Sequence, residues 1–205
     1  MPLTSEHPFA RVGYMLAALE RLHEAISAVH ALDLGPLSND ERHELTVGLF
    51  TETNRLAAAR SRVLAEWITT AAWARGGALS PSQRLASCLR LPVGVARAEV
   101  ARARSRDVMP AAHRALGEGR IGVDHMRLLA AANEPARSDA YRRDETMLVG
   151  FCAALRFPSA KAAIDYWCQR VDAAGSEKEG DERVAANRLH LSQSLDGDRK
   201  STRLN

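Results

Sequence analysis

The chain has 205 residues, 46% of them hydrophobic and only 5% aromatic, with a formal net charge of +3 at pH 7. That length fits one domain, or one domain and the start of another, and the apolar content excludes a disordered polymer. Nowhere does an apolar run reach the roughly 18 residues of a membrane-spanning helix, and no basic segment leads into an apolar one as in a secretory signal.

Phe9 to Leu32 predicts a helix, because Phe9, Val12, Leu16, Leu19, Leu22, Ile26 and Val29 recur at steps of three and four. Gly35-Pro36 ends it. Ser38-Asn39-Asp40-Glu41 reads as a capping box, and from there to Trp73 only Gly48 opposes a second long helix. Two long helices joined by a short turn predict an antiparallel hairpin. Arg75-Gly76-Gly77 breaks the chain. Ser80-Pro81-Ser82-Gln83 then opens a helix to about Arg90, and after Leu91-Pro92 another runs from Val93 to Ser105. Met109-Pro110 begins a short helix to Leu116, and Gly117 to Gly122 turns into a helix over 123–132. Glu134-Pro135 precedes one ending near Leu155, and Phe157-Pro158-Ser159 starts the last, to about Ala173.

The pattern changes at Ala174. Residues 174–187 read as a polar linker, and Arg188 to Ser194 alternates with the period of a strand, followed by an Asp196-Gly197 turn. A single strand has no partner, so residues 188–197 are expected to begin a β-containing extension. Asp198 to Asn205 spells one reading frame of a common sequencing adapter, GAT CGG AAG AGC ACA CGT CTG AAC, and is read as foreign to the gene. The plainer alternatives are a natural basic tail and a cloning scar. On the adapter reading the gene continues past Gly197, and the tail supplies two of the three net positive charges. A basic composition then says little about nucleic acid. The fold expected is mainly α, a multi-helix bundle over residues 1–173 that starts with a long helical hairpin and is followed by one terminal strand of a truncated extension.

Two stretches carry a family resemblance. Leu91-Pro92-Val93-Gly94-Val95-Ala96-Arg97-Ala98-Glu99-Val100 is the first, and Met109-Pro110 through Gly119-Arg120-Ile121-Gly122-Val123-Asp124-His125 is the second. With the ending Arg188-Leu189-His190-Leu191, they resemble domain of unknown function 222, the domain of the 13E12 repeat family common in actinobacteria. The turn motif of that family, G-R-I-x-x-x-H, falls on Gly119, Arg120, Ile121 and His125. The resemblance spans roughly residues 41–197. It implies an association with a C-terminal HNH endonuclease module, whose divalent metal would belong to residues beyond this chain.

Within the chain the chemistry is sparse. An HNH centre needs a histidine base and metal-holding His or Asn side chains in one cluster. His7, His23, His30, His43, His113, His125 and His190 are scattered, so no catalytic, metal or cofactor residue is assigned. His125, beside Asp124 and Arg120, reads as a brace for a helix start. Cys88, Cys152 and Cys168 read as reduced, buried thiols of a cytoplasmic protein.

Residues 84–127 hold nine arginines against four acids, and Gln83 to Val100 loosely resembles a helix-turn-helix with Ala86 and Val100 inside. Its second helix would enter the major groove, with Arg97, Arg102, Arg104 and Arg106 reaching DNA. Arg90 stands where such turns usually carry glycine, and a solvated arginine face is the plainer reading. Two partners are therefore weighed: DNA at these arginines, or a second copy of the chain through the N-terminal helices. No membrane contact is expected.

Overall fold

The computed structural model describes residues 8–175. The strand read at 188–197, the tail and the linker from residue 176 on lie outside the described residues. The chain divides into two compact units, residues 1–48 and 49–205. The fold is mainly α, and no helix among the described residues is long and apolar enough to cross a membrane.

The first unit contains α1 (Pro8–His30) and the start of α2 (Asn39–Thr69). The expected capping box is formed. Ser38 Oγ accepts from the Glu41 amide at 3.3 Å, and Glu41 Oε2 accepts from the Ser38 amide at 2.7 Å. These bonds hold the Glu41 carboxyl below its ordinary pKa. In the turn before it, Asp33 Oδ1 accepts from the Gly35 amide at 3.0 Å, and the Arg42 guanidinium donates to the carbonyls of Leu34 and Gly35.

α2 stops four residues short of Trp73. Thr69 and Thr70 turn their hydroxyls back to the carbonyls of Glu66 and Trp67, and Ala71 takes the left-handed conformation at φ 52°. Those carbonyls are satisfied from within, which lets the helix end without glycine. A 3-10 turn over Ala72–Ala74 leads to α3 (Pro81–Leu89) and α4 (Val93–Arg104). Next come α5 (Pro110–Gly117), α6 (Val123–Ala132), a 3-10 turn at Pro135–Arg137, α7 (Ser138–Ala154) and α8 over residues 157–175.

The core of the second unit gathers small and aliphatic side chains around one aromatic pair. Met109, Leu116, Leu129, Tyr141, Leu148 and Ile164 are fully buried. Tyr141 meets Trp167 edge to face with ring centroids 6.4 Å apart, and Trp167 Nε1 donates to Asp144 Oδ2 at 2.9 Å. Arg143, then Trp167, stabilise the Asp144 carboxylate, whose pKa falls to about 2 although burial opposes the shift. Glu145 is buried on α7, and its Oε1 accepts from the Ala112 amide in the first turn of α5 at 2.9 Å. A carboxylate there faces the positive end of the α5 dipole and satisfies an amide with no partner within its own helix.

Of the three cysteines only Cys152 is buried; Cys88 is exposed and Cys168 is intermediate. Cys88 lies two residues beyond the buried Ala86, more than half a helical turn round, so α3 carries it on its outer face.

Candidate nucleic-acid interface

The α3–α4 pair is built as the capping signals predict. Ser80 Oγ accepts from the Gln83 amide at 3.2 Å, Pro81 takes the first helical position, and Gln83 Oε1 accepts from the Leu79 amide. At the other end Arg90 is left-handed, with φ 54°, and the Leu91 amide closes a bond to the Ala86 carbonyl at 3.0 Å. This six-to-one bond is the Schellman arrangement, which normally carries glycine at the left-handed residue. Pro92 then starts α4. Ala86, Ala96, Val100 and Ala103 form the buried faces of the pair.

The four arginines expected to reach DNA separate in the structure. Arg97 and Arg104 are exposed on one face of α4, seven residues and so about two turns apart. Arg106, just past the helix, is half-buried. Arg102 is turned inward and does not belong with them. Its Nε donates to Ser61 Oγ on α2 at 2.9 Å, its Nη2 pairs with Glu99, and its side chain is 7% exposed. Ser61 Oγ donates in turn to the Ala57 carbonyl at 3.0 Å, and Arg60 approaches the outer oxygen of Glu99 at 3.8 Å. The residue type points to solvent, but Arg102 adjoins Ala103 on the packed side of α4, where its charge needs an internal partner. Glu99, three residues earlier, is the local signal for that pairing.

Among the described residues, Arg84, Arg90, Arg97, Arg104, Arg106 and Arg114 have no acidic partner within 4.0 Å. Arg120 and Arg127 are paired, with Glu118 and Asp124. Val93, Gly94 and Val95, at the start of α4, face solvent.

The turn motif between α5 and α6 resolves into structural parts. Gly119 has φ 74°, and a Cβ there would meet Thr51 Cγ2 at 2.6 Å, so glycine is required both by conformation and by the approach of α2. Ile121 is buried. His125 Nδ1 accepts from the Gly122 amide at 3.2 Å, while Asn54 Oδ1 from α2 accepts from the Val123 amide at 3.3 Å. Together they take up two amides of the α6 N-terminus. The imidazole lies tilted against Phe157, centroids 5.1 Å apart, and burial lowers its pKa. Arg120 leans on Glu118 at 2.6 Å and takes no part in this cap.

A buried histidine was not anticipated. His113 Nε2 lies 3.0 Å from Ser105 Oγ, and Ser105 also lines a cleft of about 250 Å³ between α4 and α6. The pair has the spacing of a nucleophile and its base. Ser105 Oγ also donates to the Arg102 carbonyl at 2.9 Å, and with its proton there the hydroxyl accepts from the imidazole rather than being deprotonated by it. His113 Nδ1 is buried and has no hydrogen-bond partner among the described residues. Burial first, then the charges of Arg106 and Arg102, push its pKa down to about 4. No three His, Cys, Asp or Glu side chains among the described residues gather as a metal ion would require; His7 and His190 lie outside those residues.

Compared with curated proteins and with solved structures, the chain gives no match. The model of the family described as domain of unknown function (DUF222) matches residues 44–198, covering α2 from its second turn onward and every later element described above. The chain therefore belongs to the DUF222 family.

Proposed function

We propose that this domain is the non-catalytic helical part of an HNH endonuclease-like protein and that it helps to position DNA. The observation that carries the reading is the exposed, unpaired state of Arg97 and Arg104 on the outer face of α4, with Arg90 and Arg106 close in sequence. An arginine without an internal acid keeps its full charge for a phosphate, and α4 is the second helix of a helix-turn-helix-like pair.

A salt titration of duplex binding tests this. Arg97→Ala with Arg104→Ala should weaken binding and flatten the slope of log K against log salt by about one unit per lost contact. Arg102 should be left in place, since it is bonded inside the protein to Ser61 and Glu99 and offers no charge to a phosphate. An unchanged slope in a folded variant would overturn the reading.

The second reading, a protein–protein interaction module built on the N-terminal helices, has one specific observation in its favour. The apolar stripe of α1 is exposed: Leu16, Leu19, Leu22, Ile26 and Val29 all face solvent.

A further inference from the structure

The stripe on α1 has a finer pattern than a general apolar face. Met15, Leu19, Leu22, Ile26 and Val29 are separated by four, three, four and three residues, and all are exposed. An alternation of four and three averages 3.5, the repeat of a coiled-coil seam. α1 has 23 residues, so the helix is about 35 Å long. The positions that flank the seam are Leu16, His23 and His30 on one side and Ala18 and Ala25 on the other. None of these is Asp, Glu, Lys or Arg. Glu20, Arg21 and Glu24 fall on the outward positions instead.

These facts narrow the occupant. Seam-flanking charges are what select a different helix by ion pairing, and α1 offers none at its described flanks. Equally, nothing there repels an identical helix, and the alanines permit close approach. Nucleic acid would find a single cation in register with the seam's flanks, Arg11, one heptad before Ala18. A helix lying on a membrane surface has a polar face rich in Lys and Arg, whereas the two arginines of α1 are balanced by two glutamates.

We propose that α1 pairs with α1 of a second copy of this chain through the Met15–Leu19–Leu22–Ile26–Val29 seam. The proposal rests on the interaction-module reading and is independent of the DNA reading, although a dimer would carry two α3–α4 units. It assigns the contact to α1 alone and identifies the partner as the same chain.

The test is the mass of the full chain in solution. Sedimentation equilibrium up to about 100 µM should show a concentration-dependent dimer, because an interface of one helix per copy is small. Leu22→Glu with Ile26→Glu should raise the dimer dissociation constant at least ~100-fold, since each pairing would bury unpaired carboxylates. Tryptophan fluorescence shows whether the second unit remains folded, because Trp67, Trp73 and Trp167 all lie there. Arg21→Glu, on the outer face, should leave the mass unchanged. A second measurement does not depend on the charged variant folding. With Cys88→Ser removing the exposed thiol, Leu19→Cys and Leu22→Cys together should form an interchain disulfide under mild oxidation, whichever way the helices run. A chain that is monomeric throughout overturns both the seam and the interaction-module reading. A dimer that resists the glutamates, or that forms no disulfide through residues 19 and 22, overturns the seam while leaving an interaction module elsewhere.

Discussion

Removing Glu99 should harm the fold more than removing its partner Arg102. The Arg102 side chain is 7% exposed and that of Glu99 is 22% exposed. Glu99→Ala therefore leaves a guanidinium inside the protein with only Ser61 Oγ, 2.9 Å away, to receive it. Breaking a fully buried pair in this way costs about 3–5 kcal/mol. Because water reaches the Glu99 side of the pair, the cost falls below that range, to about 2–3 kcal/mol. Arg102→Met keeps the aliphatic packing and deletes the buried charge. Glu99 keeps the approach of Arg60 at 3.8 Å, and Ser61 keeps its bond to the Ala57 carbonyl. That change should cost about 1 kcal/mol, in the range of a single hydrogen bond. The double variant should be more stable than Glu99→Ala alone, because no orphaned charge remains. Urea unfolding followed by tryptophan fluorescence measures all three. At this domain size, 1 kcal/mol corresponds to about 2–4 °C in Tm. Equal losses in the two single variants, or strict additivity in the double, would refute the argument that Glu99 neutralises a buried cation.

Three other outcomes are expected. Arg90→Gly should stabilise the protein by about 0.5–1 kcal/mol in a thermal melt, because it relieves φ 54° on an exposed side chain without an ion pair among the described residues; a lower Tm would count against this. Gly119→Ala should destabilise by about 2–4 kcal/mol, combining the strained φ of 74° with a Cβ contact of 2.6 Å to Thr51, and a neutral result would show that α2 can yield at Thr51. The pKa of His113 falls from an ordinary 6.5 to about 4 on folding, so its contribution is present above pH 6.5 and is lost as pH drops toward 4, by about 3 kcal/mol in all; His113→Gln should flatten stability over that window, and an unchanged pH profile would exclude this histidine as the cause.

Local chemistry was legible in the sequence wherever a signal and its partner lie within a few residues. Ser38 with Glu41, Ser80 with Gln83, and the prolines that open α3 and α5 stand where the sequence places them. Arg90 was also recognised as the residue standing in place of a turn glycine, and its positive φ is the backbone counterpart of that reading. What escaped depends on contacts between distant segments. Arg102 faces Ser61, 41 residues away, and no local rule distinguishes its side of α4 from that of Arg104. His113 is buried beside Ser105, at a contact that its own helical pattern does not signal. The end of α2 was overshot because two threonines capped it from within, whereas the sequence reading waited for a glycine.

The bond from Glu145 to the Ala112 amide constrains the order in which the second unit assembles. α5 has eight residues, too few to persist in water alone, and its first turn takes its acceptor from a residue 33 positions later in the chain. A chain growing from its N-terminus can therefore complete α1 through α4 while α5 still fluctuates. The Ala112 amide of its first turn finds this acceptor only once α7 has been made and docked. Conversely, loosening α7 removes the acceptor of α5's first turn, which couples the two helices even though they are not consecutive in the chain.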